Sequence, residues 1–289
     1  RGPVAHVEPG LRMRTQYHIL HVFPGFGQGG AELRTCDLIN HFGERFRYTI
    51  ASLNGVRTSA ARITGAPVEY LVIPEHNARN PVGNIRLFRK LLIQTRPDLL
   101  ITHNWGATDW AAANALRRVC PHIHVEDGFN DDESRRQKPG RILVRRIVLS
   151  RSHAVVVPSE TLRAIARDTW RLPRERVRFL PNGIDMDRFG RFPVRRGNRR
   201  IVIGTVGGLR KVKNQMRLLR AFAVIPSELD CELWIVGDGD QRTALESYVY
   251  ANGLDRKVRF LGYSGTPEQY LSRMDVFCLS SDSEQMPLS

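Results

Sequence analysis

One arrangement constrains this sequence more than any other, because it occurs twice: an apolar strand-like run, a glycine-rich turn and an amphipathic helix. In the first copy residues 17–23 (Tyr-His-Ile-Leu-His-Val-Phe) read as a buried strand, 25–30 (Gly-Phe-Gly-Gln-Gly-Gly) as the turn, and 31–42 as a helix with Leu33, Cys36 and Ile39 at helical spacing. In the second, strand 201–206 runs into the loop 204–214 (Gly-Thr-Val-Gly-Gly-Leu-Arg-Lys-Val-Lys-Asn) and a helix over 214–224. The alternation continues between and after these copies. Strands are expected at 48–53, 68–73, 99–102, 123–125 and 154–157, helices at 84–95, 110–119 and 142–149, and Ser159 is suited to cap a helix running to 167. The second half adds strands 232–236, 258–261 and 276–279 and helices 242–252 and 267–273. Strands that alternate with helices favour parallel, doubly wound sheets.

A chain of 289 residues has the length of two ordinary domains. The turn Pro181-Asn182-Gly183 and the arginine-rich stretch up to Arg200, which has little apolar periodicity, place the boundary between a domain at 15–190 and one at 191–289. Residues 1–14 are expected to be a leader outside the fold. Only four strands follow the boundary, so the second domain reads as incomplete. No apolar run approaches the roughly 18 to 20 residues that span a bilayer, and the start lacks the layout of a signal peptide, which leaves the cytoplasm as the expected location. Cys36, Cys120, Cys231 and Cys278 are far apart and sit among apolar neighbours, as buried reduced thiols do.

The excess of 44 basic over 29 acidic residues, +15, would draw nucleic acid, anionic lipid or phosphorylated substrates. Its distribution is uneven. Arg135, Arg136, Lys138, Arg141, Arg145, Arg146 and Arg151 follow the acidic Asp131-Asp132-Glu133, and Arg188 to Arg200 form a second cluster. Either cluster reads as a solvated face, as a contact for a membrane surface or anionic acceptor, or as a nucleic-acid contact. No nucleic-acid motif accompanies the charge, so no such partner is expected.

Three segments carry chemistry. Glycines at 27–30, between strand and helix, let backbone amides approach a phosphate at a helix N-terminus, though a tight turn alone would also require them. The loop 204–214 combines glycines with Arg210, Lys211 and Lys213, donors and cations together, as a diphosphate demands. Neither loop has the dinucleotide-binding or P-loop spacing. Beyond the last strand, Ser280-Ser-Asp-Ser-Glu284 offers neutral and anionic oxygens suited to sugar hydroxyls, at the strand end where open α/β sheets bind ligands. His103, His122, His124, Trp105 and Trp110 read as structural residues.

Six motifs in order, Gly29-Gly-Ala-Glu32, Leu180-Pro-Asn-Gly-Ile-Asp185, Val206-Gly-Gly-Leu with Lys213-Asn214, Leu233-Trp-Ile-Val-Gly-Asp-Gly239, Val258-Arg-Phe-Leu-Gly262 and Ser280 to Glu284, resemble glycosyltransferase family 4. The resemblance implies a GT-B fold, two Rossmann-like domains facing across a cleft. It implies transfer from a nucleoside-diphosphate sugar, UDP- or GDP-linked, to a glycan or lipid-linked acceptor, with retention and with neither metal nor other cofactor. By the same resemblance Gly29 and Gly30 approach the donor diphosphate, Lys213 neutralises it, Glu284 is the first of a glutamate pair and contacts the donor sugar, and Leu261, Gly262 and Tyr263 lie beside the base.

Three departures accompany the match. Gly208 stands where the family has a diphosphate-binding arginine, so Arg210 is expected to reach in from two residues later. Asp127 stands near the family's active-site histidine and can accept a hydroxyl proton but cannot act as a cation. The second glutamate would fall beyond Ser289, which raises the alternative of a truncated, inactive fragment; a basic nucleic-acid-binding protein is the more distant one. The expected catalytic set is Asp127, Lys213 and Glu284, with the basic helix around Arg141 to Arg151 as a contact to the inner face of a membrane.

Overall fold

The computed structural model describes residues 16–77, 80–129, 133, 136–190, 192 and 200–287. The chain divides into two compact units, Arg1–Pro181 and Asn182–Ser289. The leader expected at 1–14 lies outside the described residues.

The first unit is built on seven parallel strands: β1 (Tyr17–Phe23), β2 (Phe46–Ser52), β3 (Val68–Leu71), β4 (Leu99–His103), β5 (His122–Val125), β6 (Ala154–Val157) and β7 (Val177–Phe179), in the order β3-β2-β1-β4-β5-β6-β7. Helices α1 (Gly30–Phe42), α2 (Pro81–Thr95), α3 (Thr108–Leu116), α4 (Pro139–Leu149) and α5 (Glu160–Ala164) connect them. Parallel strands need helices on both faces, which is why β1 is buried along most of its length. Leu20, Val22, Leu92, Leu100 and Trp110 pack in one core; Phe23, Phe26, Cys36, Ile39 and Ile50 pack in another. Strand order reverses between β2-β1 and β4-β5, so the carboxyl ends of β1 and β4 flank a topological switch point.

Capping explains where the helices depart from their sequence periodicity. Asn80 accepts a hydrogen bond from the Gly83 amide and Pro81 opens the first turn, so α2 starts earlier than residue 84. Asn114 binds the amides of Val119 and Cys120 through its Oδ1 and ends α3 before 119. Ser159 does cap α5, accepting from the Leu162 amide, but the helix widens into a π turn over Ile165–Thr169. Strand β7 was not anticipated, since only Val177 of its three residues is buried.

The second unit holds four parallel strands, β8 (Ile201–Val206), β9 (Cys231–Val236), β10 (Val258–Gly262) and β11 (Val276–Phe277), in the order β10-β9-β8-β11. Helices α6 (Met186–Gly190), α7 (Gln215–Ala223), α8 (Arg242–Ala251) and α9 (Glu268–Leu271) accompany them. Leu209, Leu219, Phe222, Leu233, Ile235 and Leu245 form its core. The division at Pro181 precedes the 190/191 boundary read from the sequence because α6 is tied to this unit: Arg188 forks onto Glu268 of α9, Nε to Oε1 at 2.7 Å and Nη2 to Oε2 at 2.8 Å. All four cysteines are free; three are buried, whereas Cys278 is half-buried, contrary to expectation, because it follows the two-residue edge strand β11. Among the described residues no helix is long and apolar enough to cross a membrane.

Candidate active site

In the second unit the sheet's carboxyl ends gather the residues expected to hold a donor. The Gly207-Gly208 turn leaves β8, and its close packing demands glycine elsewhere. A Cβ on Gly237, whose φ is +142°, would stand 1.9 Å from the Gly207 carbonyl oxygen, and one on Gly239 2.4 Å from the Leu209 oxygen. Gly208 itself is less crowded. A Cβ there would lie 3.4 Å from Arg210 Nε and 3.8 Å from Arg210 Cγ, so the Arg210 stem runs over the position where a side chain at 208 would begin.

Lys213 and Glu284 are brought into direct contact. The lysine ammonium donates to Glu284 Oε1, and Ser281 Oγ donates to the same oxygen at 2.7 Å. Ser280 Oγ reaches back to the Lys213 carbonyl at 3.0 Å. Beside this pair, Asp282 accepts both from Asn214 Nδ2, at 3.1 Å to each oxygen, and from Arg217. Asn214 holds the loop through a left-handed backbone (φ 46°, ψ 46°) and caps α7 by accepting from the Arg217 amide. These side chains are only partly buried: Lys213 is 25% and Glu284 21% exposed. Leu261 and Gly262 end β10 at a register shift, with Gly262 at φ +69°, and Tyr263 follows as an exposed residue.

In the first unit the glycine loop leaves β1. Gly29 makes room for an acid rather than standing open, since a Cβ there would lie 2.3 Å from Glu32 Oε2. Gly30 is exposed at the start of α1. At the ends of β4 and β5, Asp127 is held from two sides: the Arg34 fork of α1 donates at 2.7 and 3.0 Å, and its own amide donates to Asn104 Oδ1 at 2.8 Å. Asn104 adopts φ 58°, ψ 176°, a backbone region that normally belongs to glycine. A cation, that of Arg34, thus stands directly beside position 127. Nothing in the local sequence marks Arg34, which lies in an ordinary helical turn far from Asp127.

Behind Asp127 lies a buried ionic cluster. Glu133 receives Arg145 Nη1 at 3.2 Å and Nη2 at 3.0 Å, Arg141 Nη1 at 2.9 Å and the Lys138 amide at 3.0 Å. Burial pushes the Glu133 carboxyl up, but hydrogen bonds from Arg145 and Arg141 outweigh it and hold the group below its ordinary value. The Arg145 guanidinium lies over the rings of Trp105, Trp170 and Phe129 at 4.9, 5.0 and 5.4 Å. Glu126, wholly buried, is 3.5 Å from Arg145 Nε and 3.6 Å from His124 Nε2. The basic stretch of α4 is therefore not the solvated or membrane-facing row of arginines expected. Arg145 is inside, Arg141 serves Glu133, and Arg146 donates to the Thr169 and Trp170 carbonyls. The outer face of α4 instead exposes Leu143, Val144 and Ile147.

The histidines belong to the sheet. His103 stacks on Phe23 with centroids 3.8 Å apart and meets His21 at 3.3 Å. Burial drives the His21 pKa down to about 4; burial, with His21, Arg34 and His124 nearby, drives His103 well below its ordinary value. His122 and His124 flank the Thr102 hydroxyl at 2.8 Å each. Trp110 stacks on Phe88 in the core, while Trp105 covers Arg141 and Arg145.

The chain is similar to known proteins along most of its length. The chain is 25% identical over 296 residues to the putative glycosyltransferase EpsF of Bacillus subtilis, covering 95% of this chain and 76% of that protein. It is 21% identical over 277 residues to the capsular polysaccharide biosynthesis glycosyltransferase CapH of Staphylococcus aureus, with 93% and 76% covered. Among solved structures, Anabaena HepE in complex with UDP and glucose superposes with a TM-score of 0.72 at 18% identity over 93% of this chain and 76% of that one. Sucrose-phosphate synthase from Thermosynechococcus elongatus gives 0.74 at 17%, over 94% and 77%. These likenesses give the fold, GT-B. The model of Glycosyltransferase Family 4 matches residues 28–188 and that of Glycosyl transferases group 1 matches 188–289, so the chain belongs to glycosyltransferase family 4.

Proposed function

We propose that this glycosyltransferase takes a UDP-linked sugar and passes it, with retention, to a hydroxyl of a glycan or lipid-linked acceptor. The observation that carries the reading is the Lys213–Glu284 pair with Ser281, set beside Arg210 where β8 and β11 end. UDP is preferred to GDP because the similar Anabaena protein was solved with UDP and with UDP-glucose. A partly exposed ion pair is weak and exchangeable. A donor diphosphate would take the Lys213 charge, and Glu284, released from it, would accept from a sugar hydroxyl. Arg210 and Lys213 would then stabilise negative charge on the departing diphosphate without a metal. Gly29 and Gly30 would offer amides to a phosphate, and Leu261 to Tyr263 would border the base. Asp127 is assigned to a hydroxyl of the sugar or acceptor, with Arg34 holding it in place.

In the reaction the acceptor oxygen bonds to the anomeric carbon as the bond from that carbon to the phosphate oxygen breaks. The acceptor proton passes to the departing diphosphate on the same face, so configuration is kept. A thermal-shift panel of UDP, GDP, ADP and their sugars tests donor binding. The expected result is a rise in Tm with UDP that is lost in Lys213→Ala; no response to any nucleotide overturns the proposal. Retention is read from the anomeric configuration of the product by NMR, and an inverted product would sink that part.

A further inference from the structure

The opposite edge of the seven-stranded sheet, where β5, β6 and β7 begin, carries a cavity of about 290 Å³. Arg118, Arg151 and Arg176 line it together with Asn114, His122 and Ser150, and none of the residues lining it is acidic. Two of the guanidiniums are fixed by backbone carbonyls. Arg176 Nη1 donates to the Ser150 and Ser152 oxygens at 2.6 and 2.8 Å, and Arg151 Nη1 donates to the Ile147 oxygen at 3.1 Å, at the end of α4. Each guanidinium carries five N–H donors, so these bonds orient the arginines without exhausting them.

The neutral residues of the lining are already engaged. Asn114 uses its amide on Val119 and Cys120. His122 meets Thr102 Oγ1 at 2.8 Å and Ser152 Oγ at 3.0 Å, and burial lowers its pKa to about 3, so it is uncharged at neutral pH. The lining of the cavity therefore carries three cations and no carboxylate. Where Arg145 meets Glu133 and Arg188 meets Glu268, Arg151 and Arg176 meet backbone carbonyls, which carry no neutralising charge. A tetrahedral anion with several acceptor oxygens matches planar forks better than a single point charge does.

We propose that this cavity binds a phosphate group, independently of Arg210 and Lys213, which belong to the second unit. Its carrier is either a free phosphorylated anion or the headgroup of a phospholipid. Calorimetric titration of the full chain with inorganic phosphate, at chloride-matched ionic strength, tests the site directly. The comparison is with Arg118→Glu, whose guanidinium makes no hydrogen bond among the described residues, and with Arg118→Glu/Arg151→Glu. Phosphate affinity should fall at least ~10-fold in either variant, while the UDP response remains. In parallel, flotation with vesicles of phosphatidylglycerol and phosphatidylcholine, against phosphatidylcholine alone, identifies the carrier. Binding to anionic vesicles that both variants lose assigns a lipid headgroup; a phosphate response without vesicle binding assigns a free anion. The proposal is overturned if neither probe binds, if both variants bind as the parent does, or if Lys213→Ala rather than the arginine variants removes the phosphate response.

Discussion

Two ionic clusters sit at carboxyl ends of parallel strands in this protein, and they differ in what surrounds them. The cluster of the first unit, Glu126, Glu133 and Arg145, has side chains 0 to 1% exposed and a guanidinium enclosed by three rings. That of the second unit, Lys213, Glu284, Asp282 and Arg217, is 21 to 58% exposed. The same charge chemistry serves opposite ends. A pair at 4 Å interacts by about 1 kcal/mol in water and about 4 kcal/mol at an effective dielectric constant of 20. Partners that have left water must stay paired, whereas partners that keep water can change partners when a charged ligand arrives.

The largest expected effect is therefore on stability in the first unit. Glu133→Ala takes the forked partner from Arg145, leaving it Glu126 at 3.5 Å from Nε, and should cost about 3 kcal/mol, read from urea unfolding; a loss below ~1 kcal/mol would place the two clusters in one class. Next comes catalysis in the second unit. Lys213→Ala should lower kcat/KM by about 10²–10³-fold with stability changed by less than ~1 kcal/mol, so a large stability loss with normal kinetics reverses the comparison.

Acid sharpens it further. Burial lowers the pKa of His21 to about 4 and of His122 to about 3, so the unfolded chain takes up their protons below about pH 6.5 and the native chain does so only well below that. Stability is therefore full above 6.5 and falls on acidification, by up to ~2 kcal/mol per histidine at pH 5. In His21→Gln the pH dependence of Tm between 7 and 5 should flatten. The smallest effect belongs to Asp282→Asn, which should cost under ~1 kcal/mol, a difference that shrinks in 0.5 M salt as exposed charges are screened.

What the sequence shows, and what it hides, follows the same divide. Apolar periodicity exposed the alternation of strands and helices, since strands such as β9, buried at every residue, and helices such as α7 bury regular faces. Short β7, with one buried residue, left no such trace. In the second unit the site was legible because its residues are clustered in two loops, 207–214 and 280–284, each with a pattern of its own. In the first unit Gly29, Gly30 and Asp127 could be named, but not the side chains that Asp127 and Arg145 meet. Arg34 and Asp127 belong to different elements, and Arg145 sits in a run of like charges that resembles a solvated face until the fold delivers Glu133 to it. Long-range pairing leaves no local spacing to read.

Asn104 has a consequence for how this site tolerates change. Its backbone is one a glycine would adopt without strain, while its side chain is what receives the Asp127 amide. Glycine would satisfy the first demand and abandon the second; aspartate would keep an acceptor but set a second negative charge against the first. A residue bound by two unrelated requirements has almost no neighbours in sequence space. Position 104 should drift more slowly than either the strand before it or the turn after it.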